Sequence, residues 1–285
     1  MLTIQKALSL AAAEFTSISD TERLDAEILL AHVLQVDRSY LLAFPERILT
    51  SAENIFFEKL VAERKSKMPV AYIVGYREFW SLNLKVTPDT LIPRPETELL
   101  VEHALKEARG EKNNIADLGT GSGAIALAIA HERPDFKVYA TDKSLAALNI
   151  AKENAMRLNI QNVVFYEGDW CFALPNIKFD GIISNPPYIA QGDPHFQQND
   201  VHCEPASALM AGENGLSDLC RIIREAKSYL KTEGFIMLEH GFLQAEAVRM
   251  LLAHHGYVDI HSYRDLAGHE RVTRGRIAAD VWYRI

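Results

Sequence analysis

The sequence predicts an α/β protein: a small N-terminal helical domain followed by a doubly wound, Rossmann-like, mostly parallel sheet of seven strands. Three observations predict it. From Ile115 onward, short apolar or β-branched runs alternate with amphipathic helical stretches. A glycine cluster, Gly119-Thr120-Gly121-Ser122-Gly123, sits where the first of those strands meets its helix. Before residue 75 the spacing is helical, with no strand pattern. The 285 residues suffice for one large domain and a smaller one, and 48% hydrophobic with 24% charged residues is ordinary for a globular chain.

In order along the chain, Ser19-x-x-Glu22 reads as a capping box that opens a helix running to Val36. Leu24, Ile28, Leu29, Ala31, His32 and Val33 are expected on its inner side. Thr50-x-x-Glu53 is a second box, with Ile55, Phe56, Leu60 and Val61 at helical spacing and Pro69 as the stop. Residues 78–86 alternate like a hairpin around Ser81 and Asn83. The boundaries follow: residues 1–73 as a helical substrate-recognition domain, 74–90 as a β-hairpin linker, 91–285 as the sheet domain. Leu91–Glu98 is a proline-stiffened loop; its prolines either mark the boundary or hold Arg94 and Glu98 over a site mouth.

Within the sheet domain, strands are expected at 115–118, 137–141, 163–166, 180–184 and 235–238. Helices are expected at 99–108, 123–132, 144–158, 216–230 (stopped near Gly234) and 244–255. Residues 257–263 and 277–283 read as a closing antiparallel pair.

The residues that carry chemistry cluster at strand ends. Asn185-Pro186-Pro187-Tyr188 follows the buried run Phe179–Ser184. Two prolines end the ladder and stiffen the turn at the carboxyl edge of the sheet, where open α/β folds bind ligands. The Asn185 side-chain oxygen and the Pro186 carbonyl make two acceptors for the hydrogens of a planar NH2 group, and Tyr188 adds a flat ring. That pattern suits activation of an amide or exocyclic amine nitrogen. Gly119–Gly123 brings a ligand close to a helix N-terminus. Asp142, at the second strand's end, is placed to accept from ribose hydroxyls, and Asp169 and Trp170, after the third, to accept from an adenine amine and pack on its ring.

Gly119, Gly121 and Ala124 also fit the dinucleotide fingerprint. Asp117, just before the loop, repels a pyrophosphate and suits the cationic end of S-adenosylmethionine. Other constellations fade. The ten histidines include no His-Glu-x-x-His, and Ser122 lacks a hydrolase elbow, so no metal and no triad are expected. The Arg271–Arg276 cluster reads as solvated or as positioning the tail. A net charge of −8 without a long basic block counts against a nucleic-acid partner, and no apolar run approaches the ~20 residues of a membrane span. Met1–Lys6 lacks secretion-signal features. Cys171, Cys203 and Cys220 are odd in number and show no C-x-x-C spacing, which fits packing roles in a reducing cytoplasm.

Together these motifs resemble a known family. Glu78–Leu82, Ile92–Glu98, Asp117–Gly123, Gly168–Trp170, Ser184–Tyr188 and Asp265–Val272 look like the peptide chain release factor N5-glutamine methyltransferases. The resemblance covers nearly the whole chain. It implies a class I S-adenosylmethionine-dependent methyltransferase fold behind a small helical domain. It also implies methyl transfer to the side-chain N5 of the glutamine in the Gly-Gly-Gln motif of class I release factors. Carried onto this chain, Gly119–Gly123, Asp142, Trp170 and Asn185 would hold the cofactor, and Asn185, Pro186, Pro187 and Tyr188 the glutamine. Two other readings stay open from the residues: an adenine-N6 or guanine-N2 methyltransferase acting on DNA or RNA, and an idle scaffold that keeps the fold.

Overall fold

A computed structural model describes residues 1–190, 192, 201–212 and 214–279. They fall into two compact units: residues 1–76 with 201–203, and the described residues of 77–193 with 204–279.

The first unit is built from helices α1 (Ile4–Phe15), α2 (Glu22–Leu34), α3 (Arg38–Ala43), α4 (Ser51–Lys65) and α5 (Val70–Val74). Ile4, Leu8, Phe15, Leu29, Leu30, Phe57 and Leu60 form its core. The capping box at Thr50 is present: its hydroxyl accepts from Glu53 N, and the Glu53 carboxylate accepts from Thr50 N at 2.7 Å. The one expected at Ser19 is not. Thr21 is the N-cap, its hydroxyl bonds Asp25 at 3.1 Å, and Ser19 Oγ pairs only with the Thr21 N–H and hydroxyl. Glu22 thereby lands at the first helical position, too early to reach back.

The inner face of α2 also differs from expectation. Asp25, Ala26, Glu27, Leu29, Leu30 and Ala31 are buried, while Leu24, Ile28, His32 and Val33 are half-buried. Two acids point inward because arginines meet them: Arg64 reaches Asp25 at 2.9 Å, and Arg23 and Arg38 clasp Glu27 at 2.9 and 2.7 Å. Hydrophobic periodicity reads acids as outward and so rotates the predicted stripe. Helix α2 stops at Leu34, before Val36, on a left-handed Gln35, and Pro69 caps α5 rather than ending α4.

The second unit opens with the hairpin β1 (Tyr76–Phe79) and β2 (Leu82–Lys85). Trp80 and Ser81 form its two-residue turn with φ of 53° and 59°, the left-handed pair that matches strand twist. A 3-10 turn, Pro95–Thr97, leads into α6 (Glu98–Glu107). Then come β3 (Asn114–Leu118), α7 (Ala124–Glu132), β4 (Lys137–Asp142), α8 (Leu145–Arg157), β5 (Val163–Glu167) and β6 (Phe179–Ser184). The unit closes with α9 (Ser217–Ala226), β7 (Leu230–Glu239), α10 (Ala245–His254), β8 (Val258–Arg264) and β9 (Glu270–Arg276).

The strand order is β5-β4-β3-β6-β7-β9-β8, with β9 antiparallel to both its neighbours and the other pairings parallel. Two cores cover its faces. One gathers Leu100, Val101, Ile125, Ile129 and Ala155 from α6, α7 and α8, the other Leu219, Ile222, Val248 and Leu252 from α9 and α10. The chain changes direction between β3 and β6, and there the crevice opens.

Two boundaries move. Helix α9 ends at Ala226, and β7 begins at Leu230, so Gly234 lies inside the strand. The last strand is 270–276 rather than 277–283; residues 280–283 lie outside the described residues. The arginines hide this strand from a sequence reading. They are neither solvated nor tail-positioning: Arg274 and Arg276 pair with Glu107 and Asp259, and Val272 and Thr273 are fully buried.

Candidate active site

At the crevice, Ser184 Oγ donates to the Leu118 carbonyl at 2.7 Å, joining the ends of β6 and β3. The glycine loop then turns with Gly119, Gly121 and Gly123 at φ of 72°, 56° and 87°. Gly119 N and Thr120 N both donate to the Thr141 carbonyl, and Gly121 N donates to Asp142 Oδ2 at 2.9 Å. Asp142 Oδ1 takes Ser144 N at the start of α8, also at 2.9 Å. Each carboxylate oxygen keeps lone pairs for a ligand hydroxyl. A Cβ on Gly119 would lie 2.9 Å from the Trp170 ring, so only glycine lets the two surfaces meet.

Gly119, Gly121, Asp142, Asp169, Trp170, Asn185 and Pro187 together line one cavity. Leu91, Lys143, Ala147, Pro205, Ser207 and Ala208 complete much of its wall. The other expected residues stand behind that wall. Thr120 is buried and donates its hydroxyl to Asp117 Oδ2 at 2.6 Å, the Ser122 carbonyl accepts from Asn154, and Gly123 caps α7. Pro186 is buried, and Tyr188 packs against the α9–α10 core with its carbonyl held by Gln244 at 3.1 Å. Burial raises the Tyr188 phenol well above its ordinary pKa, as does the nearby Glu239.

Three expected partnerships change. Asp117 does not border the cavity: it is fully buried, accepts from Thr120 and from Ala126 N, and braces the loop. Burial pushes its carboxyl to about 7, against the hydrogen bonds from Thr120 and Ala126. Asp169 borders the cavity but is bound by Arg221 at 2.6 Å. Trp170 is largely buried, its ring supporting Gly119 as well as facing the crevice. Of the two loop charges, Glu98 accepts from Trp80 N at 2.8 Å, inside the hairpin turn. Arg94 pairs with buried Glu204, which also accepts from Ile92 N.

Sequence reasoning missed Thr97, Arg221, Glu204 and Glu239. Asn185 Nδ2 donates to Thr97 Oγ1 at 3.2 Å, and the buried Glu239 carboxyl lies beside the Thr97 and Asn185 side chains, which favour its ionised form. A signal for Glu239 existed: it ends an apolar strand as Asp142 does. Arg221 lies on a helix surface, where sequence says nothing of its partner.

The lining carries Asp89, Asp142 and Asp169 against Lys143. That excess of carboxylate opposes a pyrophosphate and suits a cationic ligand bearing hydroxyls and an amino group. Residues 6–75 match the PrmC N-terminal domain and residues 95–208 the methyltransferase small domain. The release factor glutamine methyltransferase of Coxiella burnetii is 51% identical over 277 residues, 97% of this chain and 99% of the relative. The chain belongs to the release factor glutamine methyltransferase family.

Another member of that family, from Escherichia coli, is 47% identical over 258 residues, 90% of this chain and 93% of its own. Among solved structures, a methyltransferase from Pyrococcus furiosus superposes with a TM-score of 0.53 at 18% identity, covering 78% of this chain and 98% of that one. The hMettl16 catalytic domain does so with 0.57 at 17%, covering 77% and 81%. Those two likenesses show the fold that this family member shares.

Proposed function

We propose that this release factor glutamine methyltransferase carries out its reaction at the Asn185 corner, on the side-chain N5 of the glutamine in the Gly-Gly-Gln motif of class I release factors. When bound, S-adenosylmethionine supplies the electrophilic methyl group. The glycine loop, Asp142, Asp169 and Trp170 hold that cofactor, with Thr120, Ser122 and Gly123 shaping the loop from behind. Asn185 Oδ1 and the Pro186 carbonyl accept the two amide hydrogens of the glutamine, Pro187 walls its path, and the half-buried Tyr188 supports the turn. Such acceptors favour a pyramidal nitrogen whose lone pair is localised, and alignment supplies most of the remaining effect.

One observation carries this reading: Asn185 borders the same cavity as Gly119, Gly121 and Asp142, with its NH2 end engaged by Thr97. Its oxygen is thereby left as the acceptor for substrate. The helical unit, residues 1–73 in our reading, recognises the release factor, with residues 74–90 as the linker. We place the enzyme in the cytoplasm, supported by three free cysteines; no helix among the described residues is long and apolar enough to cross a membrane.

The test is Asn185→Ala with two readouts. Cofactor affinity is expected to stay within several-fold while turnover falls by roughly a hundredfold or more. Equal losses of both would make Asn185 chiefly a cofactor ligand and remove the proposed chemistry.

A further inference from the structure

We propose that Glu239 and Thr97 are positioning residues that lock the Asn185 carboxamide with its oxygen toward the substrate. The idea rests on the role given to Asn185 above. An asparagine amide is nearly symmetric in shape, and only its hydrogen-bond partners decide which end faces the ligand. If it turned over, an NH2 group would oppose the glutamine NH2, donor against donor.

The register builds the lock. Ser184 pairs with Leu238 between β6 and β7, so the next residues along, Asn185 and Glu239, emerge side by side at the sheet's edge. Thr97 sits at the N-cap of α6, which packs on both strands. Asn185 Nδ2 donates to Thr97 Oγ1 at 3.2 Å, and the Glu239 carboxyl lies beside both side chains, which favour its ionised form. Ionised Glu239 is an acceptor only. Beside Thr97 it attracts the hydroxyl hydrogen, which turns a Thr97 lone pair toward Asn185 Nδ2, and both neighbours then favour the NH2 end. Protonated Glu239 offers a hydroxyl of its own, which meets the Asn185 oxygen equally well, and that preference lapses.

Two further facts favour a role beyond holding the fold. Glu239 is 1% exposed and its Oε2 has no partner among the described residues, a costly arrangement for a merely structural acid. The charged and titratable groups around it are Arg271 from β9, Glu96 from the turn before α6, and Tyr188 from the turn after β6. The adjoining His240 is occupied with Gly241 O and Thr273 Oγ1. Burial raises the Glu239 carboxyl to about 7, against Thr97, Arg271 and Asn185. The locked state is therefore lost as pH falls through neutrality.

The experiment measures kcat, KM for the release factor, cofactor affinity and thermal unfolding in Thr97→Val, Thr97→Ser, Glu239→Gln and Asn185→Ala. Thr97→Val keeps the shape and removes the acceptor of Asn185 Nδ2. Its kcat is expected to fall about ten- to a hundredfold, with KM and cofactor affinity within about twofold. Thr97→Ser restores most of that loss. Glu239→Gln is expected to keep a low, flat kcat where the wild type rises from pH 6 to pH 8.

Wild-type kcat in folded Thr97→Val, or an acid limb that survives in Glu239→Gln, would overturn the lock. So would a Thr97→Val loss shared equally by cofactor affinity. Asn185→Ala separates the levels. If it turns over normally, the site reading itself fails; if it is dead while Thr97→Val is unimpaired, only the lock fails.

Discussion

Asp117 shows how one buried acid makes the protein's stability depend on pH. Burial, opposed by the hydrogen bonds of Thr120 and Ala126, lifts its carboxyl from 3.8 to about 7. The folded state therefore binds a proton that the unfolded state has released, and stability falls as pH rises from about 4 to about 7. The displacement corresponds to something on the order of 4 kcal/mol. Asp117→Asn mimics the neutral form, so its thermal midpoint relative to wild type is expected to rise between pH 4 and pH 7 and level off above that in cofactor-free protein. A difference independent of pH would show that Asp117 titrates normally. The sequence made this residue a partner for a bound cation because an acid beside a glycine loop has no visible neighbour in one dimension. The fold supplies the neighbours, Thr120 and the N-terminus of α7.

At the scale of elements, local rules were read well wherever the partners are close in sequence. The Thr50 capping box, the hairpin around Trp80 and Ser81, and the strands flanking the glycine loop all follow from spacing within a few residues. Misreadings occur where a distant charge intervenes. Arg64 lies 39 positions from Asp25, and Arg276 lies 169 from Glu107, so neither the inner face of α2 nor strand β9 is visible as an apolar pattern. The two caps give a direct comparison. Thr50→Ala is expected to cost about 1 kcal/mol, whereas Ser19→Ala, which removes two exposed contacts with Thr21, costs a few tenths. Equal effects in chemical denaturation would restore the box at Ser19.

For the whole molecule, topology converts scattered motifs into one site. The glycine loop, Asp142 and Trp170 follow three successive strands, and Asn185 follows a fourth that inserts beside the first. That convergence was legible because strand ends are marked by glycine, acid and proline. What sequence left hidden is the scaffold around those ends: Thr97 and Glu239 behind Asn185, Arg221 on Asp169, Glu204 under Arg94. Each is brought in from another element, so its role exists only after folding.

All of this depends on an asparagine oxygen meeting a glutamine nitrogen across the crevice. Purified release factor, incubated with the enzyme and S-adenosylmethionine and then mapped by tandem mass spectrometry, tests it most directly. One added methyl on the Gly-Gly-Gln glutamine, absent when Asn185→Ala replaces the wild type, is the predicted result. A methyl mass on any other residue, or label recovered only in nucleic acid, would contradict it.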